Sequence, residues 1–153
     1  MLVDGKFGNF SAYFLKSGMS KQIITTKNAP SPIGPYNQAV RAGNMLFISG
    51  QIAINPATSE MAMSDIIEET HQVMKNLKAI LAEADMTFAD VAKTTIFLSD
   101  MELFGQVNEI YGKYFDSSLP AGQAGFPARE TVAVKGLPKN VNVEISMIAV
   151  SKT

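Results

Sequence analysis

The segments Ile96-Phe97-Leu98 and Met147-Ile148-Ala149-Val150 are apolar at consecutive positions. Successive side chains on a strand point to opposite faces of a sheet, so strands with these sequences demand cover on both sides. Two helical segments are available to provide it. Two helices fill one face, and an apolar sheet face left open marks an interface. The chain is therefore expected to assemble with copies of itself.

The remaining elements follow from periodicity and turn chemistry. Val40-Arg41-Ala42 and Met45-Leu46-Phe47-Ile48 flank Gly43-Asn44, a hairpin turn of two residues that tolerate positive φ. Asn55-Pro56-Ala57-Thr58 ends the second of these strands. Asp65 with Glu68 three residues on is a capping-box pattern, and it opens a helix from about Ile66 to Ala84. Ile66, Thr70, Val73, Leu77, Ile80 and Ala84 recur every three or four residues, and Ile67, Met74 and Leu81 widen that stripe. Val91 to Leu98 reads as a strand. Ser99-Asp100-Met101-Glu102 caps a second helix running to about Phe115, with Phe104, Val107, Tyr111 and Tyr114 on one side. Thr131 to Lys135 and Val141 to Val150 are expected to pair with each other around Gly136-Leu137-Pro138-Lys139-Asn140. Hairpin, helix, strand, helix, hairpin is an α+β order, with a mixed β-sheet and two helices packed on one face.

Bulk properties narrow the function. The 153 residues suit one domain, and a net charge of −1 with scattered lysines provides no field to hold a nucleic-acid backbone. Having no cysteine removes disulfides, thiolate nucleophiles and thiolate metal sites together. The single histidine, His71, lies mid-helix among Glu68, Glu69, Gln72 and Lys75 and reads as a helix-surface residue. No apolar run approaches the ~20 residues of a membrane helix. A cytoplasmic protein without membrane or nucleic-acid partners is expected. Residues 1–18 show neither helix nor strand periodicity and none of the marks of a signal or transit peptide. They read as a disordered leader or tag, followed by a single domain over residues 19–153.

Chemistry is expected at two positions. The thirteen basic residues comprise eleven lysines and only two arginines, Arg41 and Arg129. A guanidinium grips a carboxylate through two parallel hydrogen bonds, which an ammonium cannot do. Arg129 stands where Phe126-Pro127-Ala128 runs into a β-like stretch, a suitable place for a rigid fork at the mouth of a pocket. Scarcity alone also fits a surface arginine without a role. Glu144 follows fifteen residues later on the expected neighbouring strand. It reads as a solvated strand residue, as the ion-pair partner of Arg129, or as a group that positions water.

From Met19 onward the chain contains, in order, Ile33-Gly34-Pro35-Tyr36-Asn37-Gln38-Ala39-Val40, Ile48-Ser49-Gly50-Gln51, Val91-Ala92-Lys93-Thr94-Thr95-Ile96-Phe97-Leu98, Phe126-Pro127-Ala128-Arg129 and Leu137-Pro138-Lys139-Asn140-Val141-Asn142-Val143-Glu144-Ile145. The resemblance that these segments carry is to the RidA (YjgF) family of reactive-intermediate imine deaminases, and it is close. It implies a chorismate-mutase-like homotrimer with active sites between subunits. It also implies hydrolysis of 2-iminobutanoate and 2-iminopropanoate to 2-ketoacids and ammonia. By position, Arg129 matches the family's carboxylate-binding arginine and Glu144 the acid that orients water. Tyr36, Ser49 and Asn108 match pocket-lining residues, Gly50 the tight backbone beside them, and Phe126 an apolar wall. A protonated imine is already electrophilic, so neither metal nor cofactor is called for.

Two departures stand out. Thr131 occupies a position often held by cysteine in the family, which leaves a hydroxyl as hydrogen-bond donor. Residues 117–125, Ser-Ser-Leu-Pro-Ala-Gly-Gln-Ala-Gly, are longer than the usual connection and lie next to the expected cleft. An alternative reading is a non-catalytic trimer that binds small carboxylates or acts as a chaperone-like regulator. Inhibition of translation by RNA cleavage, attributed to some relatives, is opposed by the acidic balance.

Overall fold

A computed structural model describes residues 20–115 and 125–152. The leader expected at 1–18 and all but the last residue of the 117–125 connection lie outside the described residues. Six strands, β1 (Lys21–Ile24), β2 (Ala39–Ala42), β3 (Met45–Gln51), β4 (Val91–Leu98), β5 (Ala128–Ala133) and β6 (Val143–Val150), form one mixed sheet of order β1-β2-β3-β6-β4-β5. Two helices, α1 (Ile66–Glu83) and α2 (Phe104–Gly112), pack against one face.

The β2–β3 hairpin turns at Gly43-Asn44, with Ala42 opposite Met45 and Gly43 at φ 61°, a conformation that glycine adopts without a Cβ penalty. α1 begins at Asp65, whose carboxylate accepts the Glu68 N–H at 2.8 Å. Glu68 does not complete a capping box; its carboxylate accepts the Ser64 hydroxyl instead. Asp100 caps a short 3-10 turn at Met101–Leu103 before α2 begins, and α2 ends at Gly112 rather than near Phe115. β1 lacked a sequence signal because only Ile24 of its four residues is buried.

The expected pairing of the last two strands is wrong. β5 is an edge strand parallel to β4, and β6 lies between β3 and β4, antiparallel to both. β6 alternates buried and half-buried residues along its whole length, the profile of a central strand. β5 is exposed or half-buried throughout and takes the edge. The segment after β5 therefore passes the end of β4 before entering β6, and Lys139 and Asn140 make that turn at positive φ.

Leu77, Ile80 and Leu81 of α1 meet Ile96, Leu98, Val143, Ile145, Met147 and Ala149 in a closed core on the helical face. The opposite face is apolar and open. Ile23, Val40, Phe47 and Ile148 stand in one row across β1, β2, β3 and β6, and Ile23 and Phe47 are 59% and 42% exposed. Among the described residues no helix is long and apolar enough to cross a membrane.

Candidate active site

Glu144 belongs to the open face, because it lies opposite Phe97 while its neighbours Val143 and Ile145 point into the core. It lines a pocket of ≈ 270 Å³ with Ile33, Tyr36, Ser49, Gly50, Ile52 and Pro138. Burial pushes its carboxyl above the usual glutamate range, and among the described residues no donor reaches it. Gly50 makes the pocket possible. A Cβ there would stand 1.9 Å from Glu144 Oε1 and 2.8 Å from its Cδ, so any other residue displaces the carboxylate.

The rest of this pocket is held by hydrogen bonds that the sequence concealed. Gln38 is buried; its Oε1 accepts the Thr26 N–H at 2.7 Å, and its Nε2 donates to the carbonyls of Thr26, Ala29 and Pro30. That one side chain folds the loop leading to Ile33 and Tyr36. The Tyr36 hydroxyl then accepts the Ile33 N–H at 3.2 Å, and the Ser49 hydroxyl donates to the Asn37 carbonyl at 2.7 Å. Glu69 of α1 is completely buried, and its carboxylate accepts the Asn142 N–H at 2.6 Å, the Asn142 side-chain amide at 2.9 Å and the Val143 N–H at 3.1 Å. A buried donor left unpaired costs about 1–3 kcal/mol, so Glu69 is a strong constraint on the entry to β6. A glutamate within a helix gave no sequence sign of this role.

Arg129 is elsewhere. It lies opposite Thr94, whose side chain is buried on the helical face and accepts the Tyr111 hydroxyl at 3.1 Å. Its guanidinium carbon sits 5.0 Å from the Tyr111 ring centroid and 5.7 Å from that of Phe104, within cation–π range. Burial raises the Tyr111 hydroxyl pKa, while the Thr94 bond and the Arg129 charge pull it down. Phe104, Asn108 and Tyr111 recur at helical spacing and share one face of α2. Phe126 extends this aromatic shelf, its ring 5.7 Å from that of Phe115. Thr131, two residues beyond Arg129 on the same face of β5, has a buried hydroxyl without a partner among the described residues.

The expected site residues therefore fall into two groups. Tyr36, Ser49, Gly50 and Glu144 are together, and Asn108, Phe126, Arg129 and Thr131 gather around the edge strand. Within one chain Arg129 and Glu144 do not share a cleft, because β4 separates their strands and they face opposite sides of the sheet. The expectation of direct approach through a paired hairpin fails with that pairing. A larger hollow of ≈ 560 Å³, lined by Lys27, Pro32, Met61 and Lys139 among others, contains no acid to direct water. His71 bonds the Tyr114 hydroxyl through Nδ1 at 2.8 Å and lies apart from both groups.

Residues 26–151 match the family model described as endoribonuclease L-PSP. A RutC family protein of Pyrococcus horikoshii is 50% identical over 129 residues, covering 84% of this chain and 97% of that protein. A conserved Rid family protein of unknown function from Yersinia pestis superposes with TM-score 0.79 at 46% identity, covering 86% of this chain and all of that one. TdcF of E. coli, solved with bound serine, superposes with TM-score 0.78 at 40% identity over 86% of this chain and 99% of that one. The chain belongs to the RidA (YjgF) family, also described as endoribonuclease L-PSP.

Proposed function

We propose that this protein is an imine deaminase whose active site forms between copies of the chain. The carrying observation is the division of the chemistry. A half-buried carboxylate lines a pocket on the open sheet face, and a guanidinium on an aromatic shelf lies across β4 from it. The open apolar row of Ile23, Val40, Phe47 and Ile148 suits burial against a second copy. A cyclic trimer, the family's form, would place the Arg129 edge of one protomer beside the Glu144 pocket of the next.

In that arrangement Arg129 holds the carboxylate of a 2-imino acid through its fork. Phe126 walls the carbon chain, and Tyr36, Ser49, Asn108 and Thr131 line the cleft. Glu144 accepts a hydrogen bond from water and directs its oxygen at the C=N carbon. The new C–O bond gives a carbinolamine, and proton transfer to nitrogen followed by C–N cleavage releases ammonia and the 2-ketoacid. Substrates such as 2-iminobutanoate and 2-iminopropanoate fit a pocket of ≈ 270 Å³. Serine bound to TdcF supports a site in this family for a small molecule bearing both carboxylate and amine.

The test generates imine with an amino-acid dehydratase, traps the residue with semicarbazide and follows ketoacid formation. Imine loss no faster than in buffer sinks the proposal. The divided site has its own test, in which Arg129→Ala and Glu144→Gln chains, each inactive alone, are unfolded and refolded together. Random mixing leaves about a quarter of the intersubunit sites with both residues intact, so activity returns to roughly that fraction. No recovery places both residues in one protomer's site.

The family description favours one other reading, RNA cleavage. The net charge of −1 is poorly suited to gripping a phosphate backbone. Cleavage of a defined RNA that survives Arg129→Ala and tracks the protein through purification would support that reading.

A further inference from the structure

Glu144 has no described hydrogen-bond donor, so its place in the pocket depends on the backbone beneath it. That backbone enters β6 from a turn in which Lys139 and Asn140 both have positive φ, and the turn also supplies the Pro138 wall of the pocket. Asn142, two residues before Glu144, is held at every polar atom. Its N–H and side-chain amide donate to Glu69, while its carbonyl accepts the Ser99 N–H at 2.9 Å and its Oδ1 accepts the Ser99 hydroxyl at 3.0 Å. The Val143 N–H, next to Glu144, also donates to Glu69. Glu69 thus joins the first turn of α1 to the two amides immediately before the proposed catalytic acid.

We infer that Glu69 is a positioning residue, which fixes the Glu144 carboxylate in its pocket by clamping the amides of Asn142 and Val143. This rests on the deaminase reading for its consequence in catalysis, but the clamp itself can be measured without turnover. A carboxylate is suited to the task because one oxygen takes two backbone donors while the other takes the side-chain amide. Glutamine keeps one acceptor oxygen for the backbone and can satisfy Asn142 if that amide turns over, since the Ser99 hydroxyl can donate or accept. Leucine keeps the bulk and removes every acceptor.

The experiment compares Glu69→Gln and Glu69→Leu with the parent protein in three measurements: amide hydrogen exchange at Asn142 and Val143, the NMR titration of the Glu144 carboxyl, and steady-state imine hydrolysis. Glu69→Gln is expected to keep both amides protected and kcat within about threefold. Glu69→Leu is expected to raise exchange at both amides at least about tenfold, shift the Glu144 titration toward that of an exposed glutamate, and lower kcat about tenfold with little change in KM. A merely structural role would lower Tm and leave the titration and the kcat-to-KM split unmoved, and that result overturns the inference. If Glu69→Leu does not fold, Asn142→Ala, which cuts the side-chain half of the clamp, is expected to give smaller changes of the same sign; an unshifted Glu144 titration there also overturns it. Should the parent protein prove inactive toward imines, the deaminase reading falls, and the exchange and titration results still decide whether Glu69 places Glu144.

Discussion

Two glutamates on opposite layers of the molecule show how differently the lone pairs of a buried carboxylate can be committed. Glu69 is fully buried and accepts three hydrogen bonds from the entry to β6. Glu144, in β6 itself, is half-buried in a pocket without a donor among the described residues, and burial raises its pKa. The first has its lone pairs committed and can only hold. The second has lone pairs that no described residue occupies, and they face the pocket. The same division separates the two arginines. Arg41 of β2 donates to the Ala84 carbonyl at the C-terminus of α1, a helix with no basic residue in its last turn. Arg129 rests on aromatic rings beside the edge of the sheet. Availability, more than charge, distinguishes the members of each pair.

The largest expected effect tests the free carboxylate. Glu144→Gln keeps the shape and removes the base, and imine hydrolysis should fall by about 10²–10⁴-fold. In the proposed mechanism the acting form is the carboxylate. Activity is therefore expected to fall as pH drops through the Glu144 pKa, because protonation removes the acceptor. With the substrate carboxylate occupying Arg129, burial decides the midpoint, which should lie above the usual glutamate range. A kcat profile flat through the acidic range, or an identical limb in Glu144→Gln, removes Glu144 from its assigned role.

Arg129→Ala should cost about 2–5 kcal/mol of transition-state stabilisation if the ion pair with substrate is desolvated. Arg129→Lys should lose much of the same activity, because it keeps the charge and discards the fork. Equal kcat/KM in parent and lysine variant shows that charge alone suffices. Gly50→Ala comes next. The new Cβ pushes aside a flexible side-chain end rather than backbone, so stability should hardly change. Displacing the carboxylate by about 1 Å should nevertheless cost about 10²-fold in rate. A matching fall in Tm would mean that the backbone yields instead.

The smallest effect belongs to the committed arginine. Arg41→Ala removes a cation and donor from the α1 C-terminus, worth about 0.3–2 kcal/mol. At about 2–4 °C per kcal/mol for a chain of this size, thermal melting should show a drop of a few degrees. Imine hydrolysis at 25 °C should stay unchanged, and any parallel loss of rate would join Arg41 to the site.

Much of the fold was legible because its signals are local. The stripe from Ile66, the Asp65 cap and the strand Val91–Leu98 each arise from the spacing of neighbouring residues. The family motifs likewise pointed to Arg129 and Glu144 by their positions in the chain. Their relative placement did not follow. The Gly136–Asn140 turn suggested a hairpin, and nothing local told β6 to enter between β3 and β4 while β5 took the edge. The roles of Gln38 and Glu69 were hidden for the same reason, since their partners lie 8–12 and 73–74 residues away.

The sequence by itself determined most of the element types and the open apolar face, and it nominated the residues with chemistry to offer, because periodicity, turn preference and side-chain type are properties of short segments. Only the tertiary structure decided which of those residues meet. Sheet order and facing depend on the burial of whole strands against one another. That packing placed β4 between Arg129 and Glu144, and it put Glu69 beneath the start of β6.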